Sequence, residues 1–125
     1  MSRFEACLAP VLQHEGGYVD RRDDRGGPTN LGCTIKTLSK WRGCDATRDD
    51  VKALTKADVE PIYKAWYWDA AHCGELPAGV DYMVFDLAIN SGAGRAVQFL
   101  QRAVKVTPDG KFGPVTRTQV ASRKP

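Results

Sequence analysis

Glu15 stands where an amphipathic helix is predicted to end, at a position that could support acid–base chemistry. Apolar residues before it recur at helical spacing, at Phe4, Leu8, Val11 and Leu12. At about 100° per residue Glu15 falls on the same stripe, where a carboxylate is costly unless it is paired or functional. Gly16 and Gly17 then end the helix. Partial burial and the negative end of the helix dipole would both favour the protonated form of Glu15, which suits a general acid.

Pro10 bears on this prediction because a proline inside a helix removes one hydrogen bond and clashes with the preceding turn. The helix either kinks at Pro10 or starts afresh there, and a fresh start would leave Glu15 on a very short helix. Glu15 could equally be a solvated side chain at a frayed helix end. The stripe alone does not decide between these readings.

A second carboxylate can face Glu15 across a loop. Residues 16–32 hold five glycines and Pro28, a density that predicts a turn-rich loop or a short β-hairpin. Such a hairpin can return Asp24 opposite the helix end, followed by the neutral hydrogen-bonding side chains of Thr29 and Asn30. A protonated glutamate facing an ionised aspartate, with a positioned water, is the minimum arrangement for hydrolysis of a glycosidic bond. Alternatively, Asp24 only solvates the loop.

Metal sites are not predicted. His14-Glu15 begins like the zinc-protease signature H-E-x-x-H, but the second histidine position is Tyr18. Asp20 and Asp24 have the spacing of alternate ligands in a calcium-binding loop, but the ligand position between them is occupied by Arg22, which cannot bind a cation.

A cysteine peptidase is the rival enzyme class, because Cys33, His72 and Asn90 occur in the order nucleophile, base and orienting residue. No local signature supports that arrangement. A small buried residue is the alternative explanation for each of the four cysteines, and free thiols are the default state.

Composition and charge favour one soluble globular domain. The chain has 125 residues, of which 42% are hydrophobic and 26% charged, and no apolar run reaches membrane-spanning length. The net charge of +3 is too small to indicate nucleic acid as a partner. The N-terminus lacks the apolar segment of a standard signal peptide.

The predicted elements are mainly helical. Helices are expected from Thr34 to Arg42, from about Val59 or Glu60 to Trp68, at 80–89, at 96–104 and from Pro114 to Val120, with turns at 47–50 and 108–110. Met83, Val84 and Leu87 are expected to be buried. The rings of Trp66 and Trp68 are expected in the core, with a sugar platform as the weaker alternative.

Three segments of the sequence resemble a known family. The segments E-G-G-Y-V-D and D-D-R-G-G-P-T-N-L-G-C-T are similar to the signature of glycoside hydrolase family 108, the N-acetylmuramidases of phage and bacteria, and Y-K-A-W-Y-W-D also resembles that family. The segment D-L-A-I-N-S-G-A-G is similar to the cleft-lining turn of phage lysozymes. The stretch from A-V-Q-F-L-Q to K-F-G-P-V-T resembles a peptidoglycan-binding helical segment.

The resemblance implies a lysozyme-like helical fold with a small glycine-rich loop or β-hairpin excursion. It implies a single domain over 1–125, with a catalytic lobe at 1–78 and a helical lobe at 79–125. The implied catalytic residues are Glu15, Asp24 and Thr29. The implied substrate-binding residues are Tyr18, Asn30, Asn90, Trp66 and Trp68, and no metal or organic cofactor is required.

The implied activity is cleavage of the β-1,4 bond between N-acetylmuramic acid and N-acetylglucosamine. Glycan strands of peptidoglycan are the expected partner of a monomeric protein without membrane insertion. We expect synthesis in the cytoplasm and action in the periplasm or cell wall after release by a holin or secretion system. The alternatives are a non-catalytic peptidoglycan-binding or secretion-accessory module and a cysteine-dependent amidase or endopeptidase.

Overall fold

The computed structural model describes residues 2–19 and 28–122, and the described chain is mainly α with a small β-hairpin, as the sequence predicts. In chain order the first elements are α1 Arg3–Glu15, β1 Thr29–Asn30, β2 Cys33–Thr34, α2 Ile35–Arg42, α3 Arg48–Lys52 and α4 Lys56–Tyr63. Then follow a π-helical segment Lys64–Asp69, a 3-10 turn Cys73–Glu75, α5 Val80–Ser91, α6 Ala93–Ala103 and α7 Pro114–Ser122.

The chain packs as two compact units. The first unit is Leu8–Ile62, and the second combines Met1–Cys7 with Tyr63–Pro125. The division into a catalytic lobe at 1–78 and a helical lobe at 79–125 stays a prediction.

In the first unit, a tight hairpin follows the end of α1. Strands β1 and β2 are antiparallel, with Thr29 opposite Thr34 and Asn30 opposite Cys33. Leu31 and Gly32 form the two-residue loop and both have positive φ, at 54° and 79°, as a type I′ turn requires. The predicted β-hairpin excursion is therefore present at 29–34.

The helix caps of the first unit are formed by residues within a few positions of each helix end. The hydroxyl of Thr34 accepts a hydrogen bond from the N–H of Thr37, and Gly43 ends α2 with φ 74°, so the predicted α2 is confirmed. The predicted turn at 47–50 is wrong, because Thr47 and Asp50 form a reciprocal capping box that starts α3.

Two prolines lie inside helices. The helix α1 runs without interruption through Pro10, which is exposed, so neither a fresh start nor a short terminal helix is observed. The helix α4 begins at Lys56 and contains Pro61, which corrects the predicted start near Val59 or Glu60. The N–H of Thr55 donates to the Asp58 carboxylate at 2.9 Å, and this cap fixes the earlier start.

In the second unit, the core is an aromatic cluster of Phe4, Trp68 and Phe85. The ring centroids of Trp68 and Phe85 lie 5.3 Å apart with an edge-to-face angle of 79°, and those of Phe4 and Trp68 lie 5.5 Å apart. Such pairs prefer edge-to-face contacts because the ring faces are negative and the edges positive. The expectation that Trp68 is a core residue is confirmed.

The buried face of α5 differs from the prediction in one respect. Val84 is buried as expected, but Met83 is 64% exposed and Leu87 is half-buried. Both line an open apolar groove of about 390 Å³ together with side chains of α6 and α7. The spacing of apolar residues predicted the helix α5, but it could not show that α6 and α7 leave part of the apolar face of α5 uncovered.

Two polar clusters stabilise the second unit. The buried carboxylate of Asp81 receives two hydrogen bonds from Arg3, at 2.9 and 2.8 Å. The buried amide of Gln101 donates to Asp109, Lys111 and Thr116 and accepts from the N–H of Gly110. Because buried polar groups need partners, Gln101 joins α6 to the turn at 108–110 and to α7.

None of the described helices is both long and apolar enough to pass through a bilayer.

Candidate active site

Glu15 is the last residue of α1, as the sequence predicts. The N–H of Gly16 donates to the carbonyl of Leu12 at 3.0 Å, and Gly16 adopts φ 79°, a conformation that a side chain at this position would disfavour. The predicted partial burial of Glu15 is wrong, since the side chain is exposed. The buried stripe of α1 ends at Leu12, and the residues after it project beyond the packed core.

The segment that follows Glu15 lies alongside β1. Val19 and Thr29 exchange two backbone hydrogen bonds of 2.8 Å, and the N–H of Leu31 donates to the carbonyl of Gly16 at 3.2 Å. These contacts hold the half-buried Thr29 next to the chain that leaves the helix end. The backbone of Thr29 therefore pairs with the segment that follows Glu15 and contains Tyr18, and the functional roles of these residues stay predictions.

The side chain of Asn30 is buried and forms hydrogen bonds within the protein. It is 7% exposed, and its side-chain Nδ2 lies 3.0, 3.1 and 3.2 Å from the carbonyl oxygens of Val51, Lys52 and Leu54. The last carbonyl groups of a helix have no partner within that helix, so the Asn30 amide caps the end of α3. A role for Asn30 in binding sugar stays a prediction.

Tyr18 is 36% exposed, which leaves part of its ring accessible for a sugar contact. The Nζ atom of Lys52 lies 5.9 Å from the centroid of the Tyr18 ring, within the range of a cation–π contact. Sequence reasoning missed Lys52, because no local pattern connects the end of α3 with Tyr18. The proposed second acid, Asp24, lies outside the described residues.

The remaining predicted binding residues belong to the second unit. Trp68 is 4% exposed and enclosed by other rings, so it offers no face to a sugar and the predicted platform is wrong. Trp66 is half-buried in the π-helical segment. Asn90 is exposed near the end of α5, and its Nδ2 donates to the carbonyl of Asp86 at 2.9 Å.

The proposed cysteine nucleophile has unfavourable surroundings. Cys33 is buried, and burial raises the pKa of its thiol, which opposes formation of the reactive thiolate. The Nδ1 atom of His72 lies 2.9 Å from Oε2 of Glu75 and is hydrogen-bonded to it. The imidazole ring of His72 also stacks on the ring of Phe112. In residues 2–19 and 28–122, no group of three or more metal-ligating side chains could hold an ion.

The carboxyl group of Glu15, in its protonated form, could donate a proton to a bound sugar oxygen, and the same unit carries a hydroxyl group and a partly exposed aromatic ring. Thr29 supplies the hydroxyl and Tyr18 the ring. This is the chemistry that general-acid cleavage of a glycosidic bond needs on the leaving-group side.

Comparison with known proteins identifies a family and similar solved structures. The model of the family described as Glycosyl hydrolase 108 matches residues 8–92. The solved structure of SagA from Brucella abortus is 44% identical to this chain, with a TM-score of 0.87; the match covers 97% of this chain and 70% of SagA. No curated protein matches the sequence.

Proposed function

The chain belongs to glycosyl hydrolase family 108, and from this premise we propose that it cleaves the β-1,4 bond between N-acetylmuramic acid and N-acetylglucosamine in peptidoglycan. The observation that carries the proposal is the position of Glu15. It lies inside the family match, ends α1, and is followed by a segment that is hydrogen-bonded to β1.

Glu15 acts as the general acid in this proposal. Its carboxyl proton passes to the glycosidic oxygen as the bond to the anomeric carbon breaks, and water then adds to that carbon. Asp24 orients the water or stabilises the oxocarbenium-like transition state, and the hydroxyl of Thr29 helps to place the water. Tyr18 contacts a sugar ring in the first unit, and sugar contacts by Trp66 and Asn90 stay separate predictions for the second unit. No metal or organic cofactor takes part.

Because Glu15 is exposed in the free protein, the bound substrate has to shield it from water in this proposal. A glycan strand that lies across the end of α1 covers the carboxyl group and removes water from it. Proton transfer to the glycosidic oxygen then takes place away from bulk water. We further propose that the protein acts as a monomer in the periplasm or cell wall, after release by a holin or a secretion system.

The variant Glu15→Gln tests the proposal. The amide keeps the size of the side chain but has no acidic proton, so release of reducing ends from purified peptidoglycan should fall by about 100-fold or more. The matched control is Glu5→Gln, which changes an exposed glutamate on the same helix and should leave the rate unchanged. Full activity of Glu15→Gln, with an unchanged melting temperature, would contradict the assignment of the acid.

Product analysis separates the remaining candidate functions. A muramidase releases strands that end in reducing N-acetylmuramic acid, whereas a non-catalytic binding module releases no new ends. A cysteine amidase or endopeptidase would instead release amino groups and lose activity after thiol alkylation.

A further inference from the structure

Lys52 places a positive charge in the same part of the first unit as the proposed acid. It ends α3, and its ammonium group lies 5.9 Å from the centre of the Tyr18 ring. Tyr18 follows Glu15 by three residues. The side chain of Lys52 is exposed, so its charge is accessible from solvent.

Buried contacts fix the position of Lys52. The Nδ2 atom of Asn30 binds the carbonyl oxygen of Lys52 itself at 3.1 Å, together with the carbonyl oxygens of Val51 and Leu54. Asn30 lies on β1, and Thr29 on the same strand pairs with Val19, next to Tyr18. The backbone that carries Lys52 and the backbone that carries Tyr18 are thus both attached to β1.

The charge of Lys52 is not neutralised by the described part of the chain. Among residues 2–19 and 28–122, no carboxylate forms an ion pair with its Nζ atom, whereas the nearby pair Arg42 and Asp50 lie 3.6 Å apart. The ammonium group lies over the Tyr18 ring, so an anionic group attached to a sugar that contacts the exposed part of Tyr18 can reach the charge and form a charge-assisted hydrogen bond with it.

We propose that Lys52 binds a carboxylate of the substrate while the sugar that carries it packs on Tyr18. This inference rests on the proposed function. In peptidoglycan, N-acetylmuramic acid bears a lactyl group with a carboxyl function, and N-acetylglucosamine bears none. Lys52 is then a specificity-determining residue that favours glycans containing muramic acid over uncharged polymers of N-acetylglucosamine.

Two sources can supply this carboxylate. In a strand without stem peptides, the lactyl carboxylate itself is free. In intact peptidoglycan the lactyl group is amide-linked, and the free carboxylates belong to the stem peptides. Both sources present the same anionic group to Lys52, and the choice of substrate in the assay distinguishes them.

The test compares Lys52→Met with wild type on three purified substrates. These are peptide-free glycan strands, the same strands after methyl esterification of the lactyl carboxylates, and intact peptidoglycan. Loss of one charged contact should raise KM for the peptide-free strands about fivefold to tenfold, with little change in kcat. On the esterified strands Lys52→Met and wild type should have the same KM. A rise in KM on intact peptidoglycan alone assigns the stem-peptide carboxylate.

Two controls accompany the test. Lys52→Arg keeps the charge and should restore most of the lost affinity, and the difference between Lys52→Met and wild type should shrink as salt screens the charge. Lys40→Met removes an exposed lysine from α2 and should leave KM unchanged. Thermal melting of each variant identifies any loss of folding.

Three outcomes would overturn the inference: an unchanged KM of Lys52→Met on peptide-free strands and on intact peptidoglycan, an equal rise on esterified strands, or a loss confined to kcat. If the wild-type protein releases no reducing ends from any substrate, the proposed function fails separately. Calorimetric binding of the peptide-free and esterified strands to wild type and Lys52→Met then decides the role of Lys52 by itself.

Discussion

The amide group of Asn30 attaches β1 to the end of α3, because one NH₂ group faces three backbone carbonyl oxygens. Two N–H bonds shared among three acceptors at the end of α3 form a contact that only a donor can make. A residue of the same shape but with acceptors in place of donors would set oxygen against oxygen at this buried position.

We therefore expect Asn30→Asp to lower the free energy of unfolding by roughly 2 to 4 kcal/mol, the range for burying an unpaired polar or charged group. Urea unfolding at pH 7 measures the change. The matched control is Asn90→Asp, at an exposed position near the end of α5, where the same substitution should cost about 1 kcal/mol or less. Similar losses for the two variants would show that the three contacts of Asn30 add little.

Sequence reasoning identified Asn30 and Thr29 as polar residues near the acid but could not separate their roles. The distinction depends on the carbonyl groups that bind Asn30, which belong to residues 51–54 at the end of α3 and just beyond it. These residues are more than twenty positions away in the sequence. For the same reason Lys52 had no signal in the sequence, and the predicted burial of Glu15 failed. Helical spacing gives the direction of a side chain, whereas its burial depends on which other elements cover that direction.

At the scale of the element, capping residues explain both the successes and the errors. The limits of α2 were predictable because Thr34 and Gly43 act within a few residues of the helix ends. The same local chemistry was present at Thr47 and Asp50, but a five-residue helix is too short for its apolar spacing to be recognised. The start of α4 lies before the predicted one because the helix tolerates Pro61 in its interior, with one backbone hydrogen bond missing.

The continuity of α1 through Pro10 leads to a prediction about stability. Pro10 has no N–H to donate to the carbonyl of Ala6, and its ring is exposed, so it contributes little to packing. Proline costs about 3 kcal/mol relative to alanine inside a helix, and its stiffening of the unfolded chain returns about 0.4 to 1 kcal/mol. We expect Pro10→Ala to raise the free energy of unfolding by roughly 1 to 3 kcal/mol, measured by urea unfolding.

Pro114 provides the matched comparison, because it occupies the first position of α7. There the missing N–H has no helical partner to lose and the fixed φ suits the helix. Pro114→Ala should therefore be neutral or slightly destabilising. A stabilising effect at both positions would mean that loss of proline relieves local packing or backbone strain at each site, and not that it restores a hydrogen bond in the interior of α1.

At the scale of the whole molecule, five carboxylates of the described chain contribute to acid sensitivity in the same direction. The pKa lies below its ordinary value for Asp50, Asp58, Glu75, Asp81 and Asp109. For Glu75 the hydrogen bonds from Arg117, and then that from His72, lower the pKa from 4.5 to about 2. A group with a lowered folded-state pKa contributes stability above its unfolded pKa and loses it as the pH falls through the folded value.

The free energy of unfolding should accordingly decrease as the pH falls from about 5 to about 2. Asp81 allows a specific test, because it is 1% exposed. Burial by itself raises the pKa of Asp81, but the hydrogen bonds from Arg3 and from the N–H groups of Gly79 and Tyr82 outweigh burial and lower it. Its stabilising effect is thus fully present near neutral pH and disappears in acid.

We expect Asp81→Asn to lose about 1 to 3 kcal/mol of the free energy of unfolding at pH 7, because the charged partner of Arg3 is replaced by a neutral amide. The difference from wild type should shrink as the pH falls below the ordinary aspartate value of 3.8, since the wild-type carboxylate becomes neutral as well. Asp86→Asn, on the exposed side of the same helix, should stay within about 0.5 kcal/mol of wild type throughout. Urea unfolding at pH 7, 5 and 3 measures both variants, and a constant difference for Asp81→Asn would show that packing, and not its ionised carboxylate, accounts for the loss.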